Sequence, residues 1–283
     1  MTTKGAYCAP RKEGFNAGSC YSIEQLYHII DRYNRGKSGR DRITPGNNAT
    51  QETLWTLIDR KMQKKCSTEM CWMDEYNLIA DDEETFMPLA PEGGPKGWLS
   101  TDDIKKVLKQ RMRVYPNFLA LGPVAIDFCS ETGNEVCNLD LNAARKQGKN
   151  QIGIVFNTDP STKGGQHWIC MYIDISPANR QEWTINYFDS YGMAQLPPEI
   201  HKLVQKYQAQ NNGQFKVEMN CSDVSGICTR SVRQQRLNTE CGMYCIIFIT
   251  ERLKGKTWDY LLTHGENDEE VNKKRPLFFR PRI

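Results

Sequence analysis

Thr239-Glu-Cys-Gly-Met-Tyr-Cys-Ile-Ile-Phe-Ile-Thr-Glu-Arg-Leu253 is apolar almost all round from Cys241 to Ile249. A helix of that composition has no face to offer water and belongs inside a core. The stretch before it, Gln234-Gln-Arg-Leu-Asn238, has no apolar period, so Cys241 and Gly242 open the helix. Upstream lie Gln151–Asn157, His167–Ile175 and Glu182–Phe188, rich in β-branched and aromatic residues and bounded by Gly or Pro/Asn clusters. These read as neighbouring strands. A helix starts at Leu196-Pro-Pro-Glu199, since proline is tolerated in a first turn, and a further strand is expected over Phe215–Asn220. The fold class expected is therefore α+β. A central mixed sheet is flanked by helices, and Cys241 sits at the N-terminus of a buried one.

The N-terminal third reads differently. Ser22 is a plausible cap for a helix carrying Ile23, Leu26, Tyr27 and Ile30 at helical spacing, and Gln51–Lys65 reads as a second amphipathic helix. A charge run, Asp81-Asp-Glu-Glu84, leads into the Pro/Gly-rich stretch Met87–Pro95, the composition of an exposed connection. The division expected is a small helical unit over 1–96 and a larger domain over 97–283, the latter opening with a helix capped by Ser100.

The chain has 283 residues, with 37 basic and 34 acidic side chains and a net charge of +3. Near balance excludes an argument from charge alone for a nucleic-acid or membrane-surface protein. Its apolar runs are far shorter than the ~20 residues of a membrane span, and the start Met1-Thr-Thr-Lys-Gly-Ala lacks the apolar segment of a signal peptide. A soluble protein in a reducing compartment is expected, with its eleven cysteines as free thiols. Cys66 and Cys71, Cys129 and Cys137, and Cys221 and Cys228 pair only loosely, which argues against structural zinc. Cys8 and Cys20 would bridge only in a packaged, oxidised protein.

Three polar residues stand at element edges: His167 opening a strand, Asp189 just past the next, and Cys241 opening the buried helix. A thiol nucleophile needs a base, and the base needs a third group to hold its tautomer. A helix N-terminus adds free N–H groups and partial positive charge, which favour a thiolate and can hold an oxyanion. Gln235, six residues before Cys241, supplies a side-chain donor for that hole, and Asn238 in the same loop is an alternative.

Gly164-Gly-Gln-His-Trp168, Tyr187-Phe-Asp-Ser-Tyr-Gly192 and Gln234-Gln-Arg-Leu-Asn-Thr-Glu-Cys-Gly-Met-Tyr244 resemble the catalytic segments of the ubiquitin-like-protein-specific cysteine proteases. That group contains SUMO-deconjugating enzymes and the adenovirus protease. Within it the likeness is to the polyprotein-processing proteases of African swine fever virus and related large DNA viruses. It covers about residues 98–283, and the N-terminal part is loosely similar to the helical arm domain of the viral members. The resemblance implies His167 as general base, Asp189 as its partner, Cys241 as nucleophile and Gln235 as oxyanion donor. Trp168 would wall a narrow channel for glycines, implying cleavage after Gly-Gly. It further implies a viral structural or core polyprotein as substrate, action at assembly sites in the host cytoplasm and in the virion, and no metal or cofactor.

Plainer readings exist for each feature. Singly, His167 would be structural, Cys241 a buried small hydrophobe and Asp189 a turn residue; order, spacing and flanks together favour catalysis. A SUMO or ubiquitin deconjugating enzyme, a Cys-dependent acyltransferase and an inactive binding protein are the alternatives. Arg32, Arg35, Lys37, Arg40 and Arg42 are most simply a solvated surface, but their density around a glycine-containing turn allows nucleic-acid or particle contact. Gly93-Gly94 invites self-cleavage, which Pro95 in the next position disfavours. Leu277 and Phe278 are expected to dock the tail on the core.

Overall fold

The computed structural model describes residues 4–5, 7–10, 18–76, 85–130, 132–192, 195–222 and 228–282. They fall into two compact units that part between Leu89 and Ala90, within the Pro/Gly-rich stretch; the first takes in Arg282 and the second runs to Pro281.

The first unit is built on α1 (Ile23–Asn34), α2 (Gln51–Met62) and α3 (Met70–Tyr76). Ser22 caps α1 by accepting from the Gln25 N–H, and the Gln25 side chain returns to the Ser22 N–H, a reciprocal box that satisfies two end donors. The face expected to be buried is rotated: Leu26, Ile29 and Ile30 are inside, while Ile23 and Tyr27 are exposed. Leu54, Ile58, Trp72 and Phe86 cluster with the 26/29/30 side and leave the other edge of the stripe to solvent. Glu69 is buried against them, its carboxylate accepting from the Cys20 N–H at 2.9 Å and from the Trp55 indole N–H.

The second unit opens with α4 (Thr101–Val114), capped by Ser100 and Asp103 in another reciprocal box, and continues through β1 (Phe118–Ala125), α5 (Leu141–Lys146), β2 (Gln151–Asn157), β3 (Trp168–Asp174), β4 (Thr184–Phe188), α6 (Pro198–Ala209), β5 (Lys216–Asn220), α7 (Cys241–Leu253), α8 (Trp258–Thr263) and α9 (Asp268–Lys273). The strands form one five-stranded mixed sheet in the order β1-β2-β3-β4-β5, with β1 parallel to β2, β3 antiparallel to both neighbours, and β5 parallel to β4. Strand β1, which contains Gly122-Pro123, was not among the expected strands. It is an edge strand whose register shifts between Leu121 and Val124, the setting in which a sheet tolerates proline.

Both faces of the sheet are covered. Trp168, Cys170 and Tyr172 of β3 join α4 and α7 in one cluster, while Ile169, Met171 and Ile173 join α5 and α6 in another. Burial on two sides is why these strands read as apolar runs without polar alternation. Helix α7 lies in the first cluster, with every residue from Cys241 to Thr250 buried and Phe248 stacked on Phe188 at 4.5 Å. In the tail Phe278 and Phe279 are buried, but Leu277, expected to dock, stands 64% exposed.

The expectation of free thiols is corrected. Cys8–Cys20, Cys66–Cys71, Cys129–Cys137 and Cys221–Cys228 are disulfide-bonded, leaving Cys170, Cys241 and Cys245 free and buried. The physical reason is local: each pair closes a loop whose Cα atoms approach to between 4.9 and 5.4 Å, inside the range a bridge requires, and spacing along the chain does not report that approach. Alkylation of the denatured, unreduced protein should therefore label only Cys170, Cys241 and Cys245, and all eleven cysteines after reduction. Peptide mapping that finds Cys8, Cys66, Cys129 or Cys221 labelled without reductant would remove the corresponding bridge.

Candidate active site

One end of the sheet collects the residues singled out above. Strand β3 leaves from it and β4 returns to it, with Asn157 opposite Trp168 and Cys170 opposite Phe188, so His167 just before β3 and Asp189 just after β4 become neighbours. His167 Nε2 lies 2.7 Å from Asp189 Oδ1. Asp189 is fully buried and its Oδ1 also accepts from the Tyr191 N–H at 2.9 Å, while the Tyr191 ring stacks on the His167 ring at 4.6 Å. The Cys241 thiol, 2% exposed in the first turn of α7, interacts with the same imidazole. With Nε2 committed to Asp189, Nδ1 is the ring nitrogen left for the sulfur.

Burial of the ring opposes its protonation, but the hydrogen bond and charge of Asp189, with those of Cys241, outweigh it and push the His167 pKa up to about 9. The imidazolium is therefore the prevailing form at neutral pH. A raised histidine pKa stabilises the fold fully below its unfolded value of about 6.5, and that contribution is lost as pH rises through about 9.

The approach to Cys241 is held at three points. Gln235 is fully buried; its Oε1 accepts from Ser190 Oγ at 2.6 Å and its Nε2 donates to the Leu237 carbonyl at 2.7 Å, which leaves one amide N–H. Asp268 Oδ2 accepts from the N–H groups of Arg236 and Leu237 at 2.8 and 3.0 Å. Glu240, immediately before the cysteine, is buried against Arg275, which donates Nε and Nη2 to Oε2 at 3.1 and 2.9 Å, while Asn272 Nδ2 reaches Oε1 at 3.0 Å. Asn238 is exposed and makes no side-chain hydrogen bond among the described residues. On the other flank Asn220 Nδ2 donates to the carbonyls of Asp189 and Val232, and its Oδ1 accepts from the Val232 N–H. Ser190, Asn220, Glu240, Asp268 and Arg275 were not anticipated; their partners are remote in sequence, so spacing carries no sign of them.

A cavity of about 500 Å³ opens beside this end of the sheet, lined among others by Trp98, Leu99, Gly164, Gly165, Gln166 and Trp168. The Trp168 indole N–H donates to the Leu99 carbonyl at 2.9 Å, and Leu99 packs so closely on Gly242 that a Cβ there would fall 3.0 Å from the Leu99 Cβ. The wall of the cavity thus abuts the first turn of α7. Trp98, also not anticipated, is 45% exposed in it. Cys8, Cys20 and Glu69 are the group among the described residues whose ligand atoms lie close enough for a metal ion. Their donors are committed: the sulfurs to each other and the carboxylate to Cys20 and Trp55.

A SUMO-1 cysteine protease of African swine fever virus is 31% identical to this chain over 253 residues, which span 81% of the chain and 89% of the relative. The chain belongs to the viral SUMO-protease-like cysteine proteases. It is a thiol protease. A putative thiol protease of Acanthamoeba polyphaga mimivirus is 25% identical over 297 residues, covering 96% of the chain and 93% of that protein. The crystal structure of the selenomethionine African swine fever virus protease superposes with a TM-score of 0.67 at 21% identity, over 99% of this chain and 97% of that one, and establishes the shared fold. No protein-family model matches the chain.

Two measurements follow from the geometry. In an imidazole NMR titration His167 should show its midpoint near 9, and Asp189→Asn should move it down; an unmoved midpoint would deny Asp189 its part. Arg275→Met should cost about 3–5 kcal/mol in urea unfolding because it strands a buried carboxylate, with most of the loss recovered on adding Glu240→Gln; strictly additive losses would contradict the pairing.

Proposed function

We propose that this protease is an endopeptidase that cleaves after Gly-Gly pairs in viral structural or core polyproteins during virion maturation. The observation that carries the reading is the convergence of His167, Asp189 and Cys241 at one end of the sheet, with His167 Nε2 2.7 Å from Asp189 Oδ1 and the thiol at a helix N-terminus. Cys241 Sγ, as thiolate, attacks the scissile carbonyl. The Cys241 backbone N–H and the free amide N–H of Gln235 take the developing oxyanion. The imidazolium of His167 gives its Nδ1 proton to the leaving amine while Asp189 keeps the ring in place. Water, deprotonated by the neutral imidazole, then hydrolyses the thioester, returning the proton to His167 and releasing the acid. The buried, doubly held amide of Gln235 supports it as donor over the exposed Asn238.

Specificity in this reading comes from the cavity. Trp98 and Trp168 line it, and Trp168 is fixed by its bond to Leu99, which packs on Gly242 next to Cys241. A slot between large rigid rings favours residues without a Cβ, by clash rather than by added attraction. The N-terminal unit, which runs to Leu89, serves as an arm that positions the enzyme on its substrate or on the assembling particle. Arg32, Arg35, Lys37, Arg40 and Arg42 lie along the end of α1 and the turn after it, where nucleic acid or particle components can meet them. In this reading the enzyme acts at assembly sites in the host cytoplasm and in the virion.

A second reading rests on the name of the 31% identical relative, a SUMO-1 cysteine protease: cleavage of SUMO or ubiquitin conjugates, whose tails also end in Gly-Gly. The deciding experiment compares Gly-Gly-X peptides and a core polyprotein with folded SUMO and ubiquitin conjugates. Turnover of peptide and polyprotein, lost in Cys241→Ala, is expected; efficient turnover of the folded modifiers alone would sink the polyprotein reading. Gln235→Ala should lower kcat by about 10²–10³-fold with KM little changed.

A further inference from the structure

At the opposite end of the sheet from Cys241 a separate cavity of about 350 Å³ is lined by Asn142, Arg145, Lys146, Asn150, Ser176 and Arg180. The length of β3 separates the two sites: Trp168 marks the catalytic end and Asp174, just before Ser176, the other, about 20 Å away at ~3.3 Å per residue. Three cations line this hollow, and among the described residues no carboxylate does. Asp174 and Glu182, the acids of the adjoining segments, accept from Ser176 and Asn179. Among the described residues none of Arg145, Lys146 and Arg180 has an ion pair.

The two guanidiniums are fixed before any ligand arrives. Arg145 donates Nε to the Ile175 carbonyl at 3.0 Å and Nη2 to the Pro177 carbonyl at 3.3 Å; Arg180 donates Nη2 to Asn142 Oδ1 at 2.7 Å. Both lie over the ring of Trp183, at 5.5 and 4.7 Å, and Trp183 is itself buried with its N–H on Pro177. Each guanidinium has five N–H donors, so most remain free. A helix C-terminus favours cations, which accounts for Arg145 and Lys146 in the last turn of α5. It does not account for Arg180, which comes from the turn at Arg180–Glu182, or for Asn150, whose buried Oδ1 has no hydrogen-bond partner among the described residues.

We propose that this cavity is a binding site for a small phosphate-bearing anion. Preorganised guanidinium forks match the bidentate geometry of phosphate oxygens, Lys146 adds a point charge, and the Asn150 amide offers both a donor and an acceptor for a protonated phosphate or a neighbouring hydroxyl. The volume lies within the range of small-ligand pockets, about 300–1,000 Å³, and suits anything from pyrophosphate to a mononucleotide. The site is independent of the protease chemistry and of the reading of its substrate.

The test is calorimetric titration of the full-length protein with inorganic phosphate, pyrophosphate, ATP, adenosine and citrate, repeated on the double variant Lys146→Gln/Arg180→Gln, whose unliganded melting temperature reports its folding. Saturable, salt-sensitive binding of a phosphate compound, weakened about tenfold or more in the variant, is expected, with adenosine silent. ATP binding more tightly than pyrophosphate would identify a nucleotide as the source, and equal affinity an inorganic or other phosphate. Absence of saturable binding by every phosphate compound, equal binding by a folded variant, or citrate matching pyrophosphate would overturn the proposal.

Discussion

The antiparallel pairing of β3 with β4 is the constraint on which the candidate active site rests. Because Cys170 sits opposite Phe188, the residue entering β3 and the residue leaving β4 meet at one end of the sheet, and these are His167 and Asp189. Parallel addition of β5 to β4 brings Asn220 to the same end, where it ties Asp189 to Val232. A slip of one residue would send Trp168, Cys170 and Tyr172 to the face now filled by Ile169, Met171 and Ile173. Register is therefore specified by two packed faces at once, and the geometry of the candidate site inherits that specification.

Around this frame the protein buries more polar groups than a stable core needs. Asp189, Ser190, Asn220, Gln235, Glu240 and Arg275 are all at most 5% exposed. A buried ion pair such as Glu240 with Arg275 is weak support for stability, since desolvation consumes most of the Coulomb attraction. Its position explains it better: Glu240 adjoins Cys241, and Asp268 holds the N–H groups of Arg236 and Leu237 in the same approach. The segment that carries Gln235 and leads into Cys241 is thereby fixed from the C-terminal elements.

The parts of this arrangement legible in the sequence are those in which a local pattern coincides with a structural role. The apolar circumference of α7, the runs of β2 to β4 and the capping residues Ser22 and Ser100 follow from short-range physics, and His167, Asp189 and Cys241 stand at the ends of those elements. Edge strand β1 was hidden by Gly122-Pro123, and α5, α8 and α9 span too few residues for a helical period to show. The supporting network was invisible for a different reason: Asp268 binds N–H groups 31 and 32 residues away and Arg275 meets Glu240 across 35, so nothing short of the fold brings them together. The disulfides were hidden locally instead, because cysteines 5 to 12 residues apart meet only through the course of the loops between them.

The β3 strand also decides what a ligand at the far end of the sheet can do. It is paired along its length by β2, along most of it by β4, and packed on both faces, so a second register or a bend would break many hydrogen bonds and two clusters together. A ligand shifts an equilibrium only between states that bind it differently, and a strand so enclosed offers one state. An anion held by Arg145, Lys146 and Arg180 therefore adds stability to the folded chain by mass action. It leaves the spacing of His167 and Asp189 as the sheet sets it.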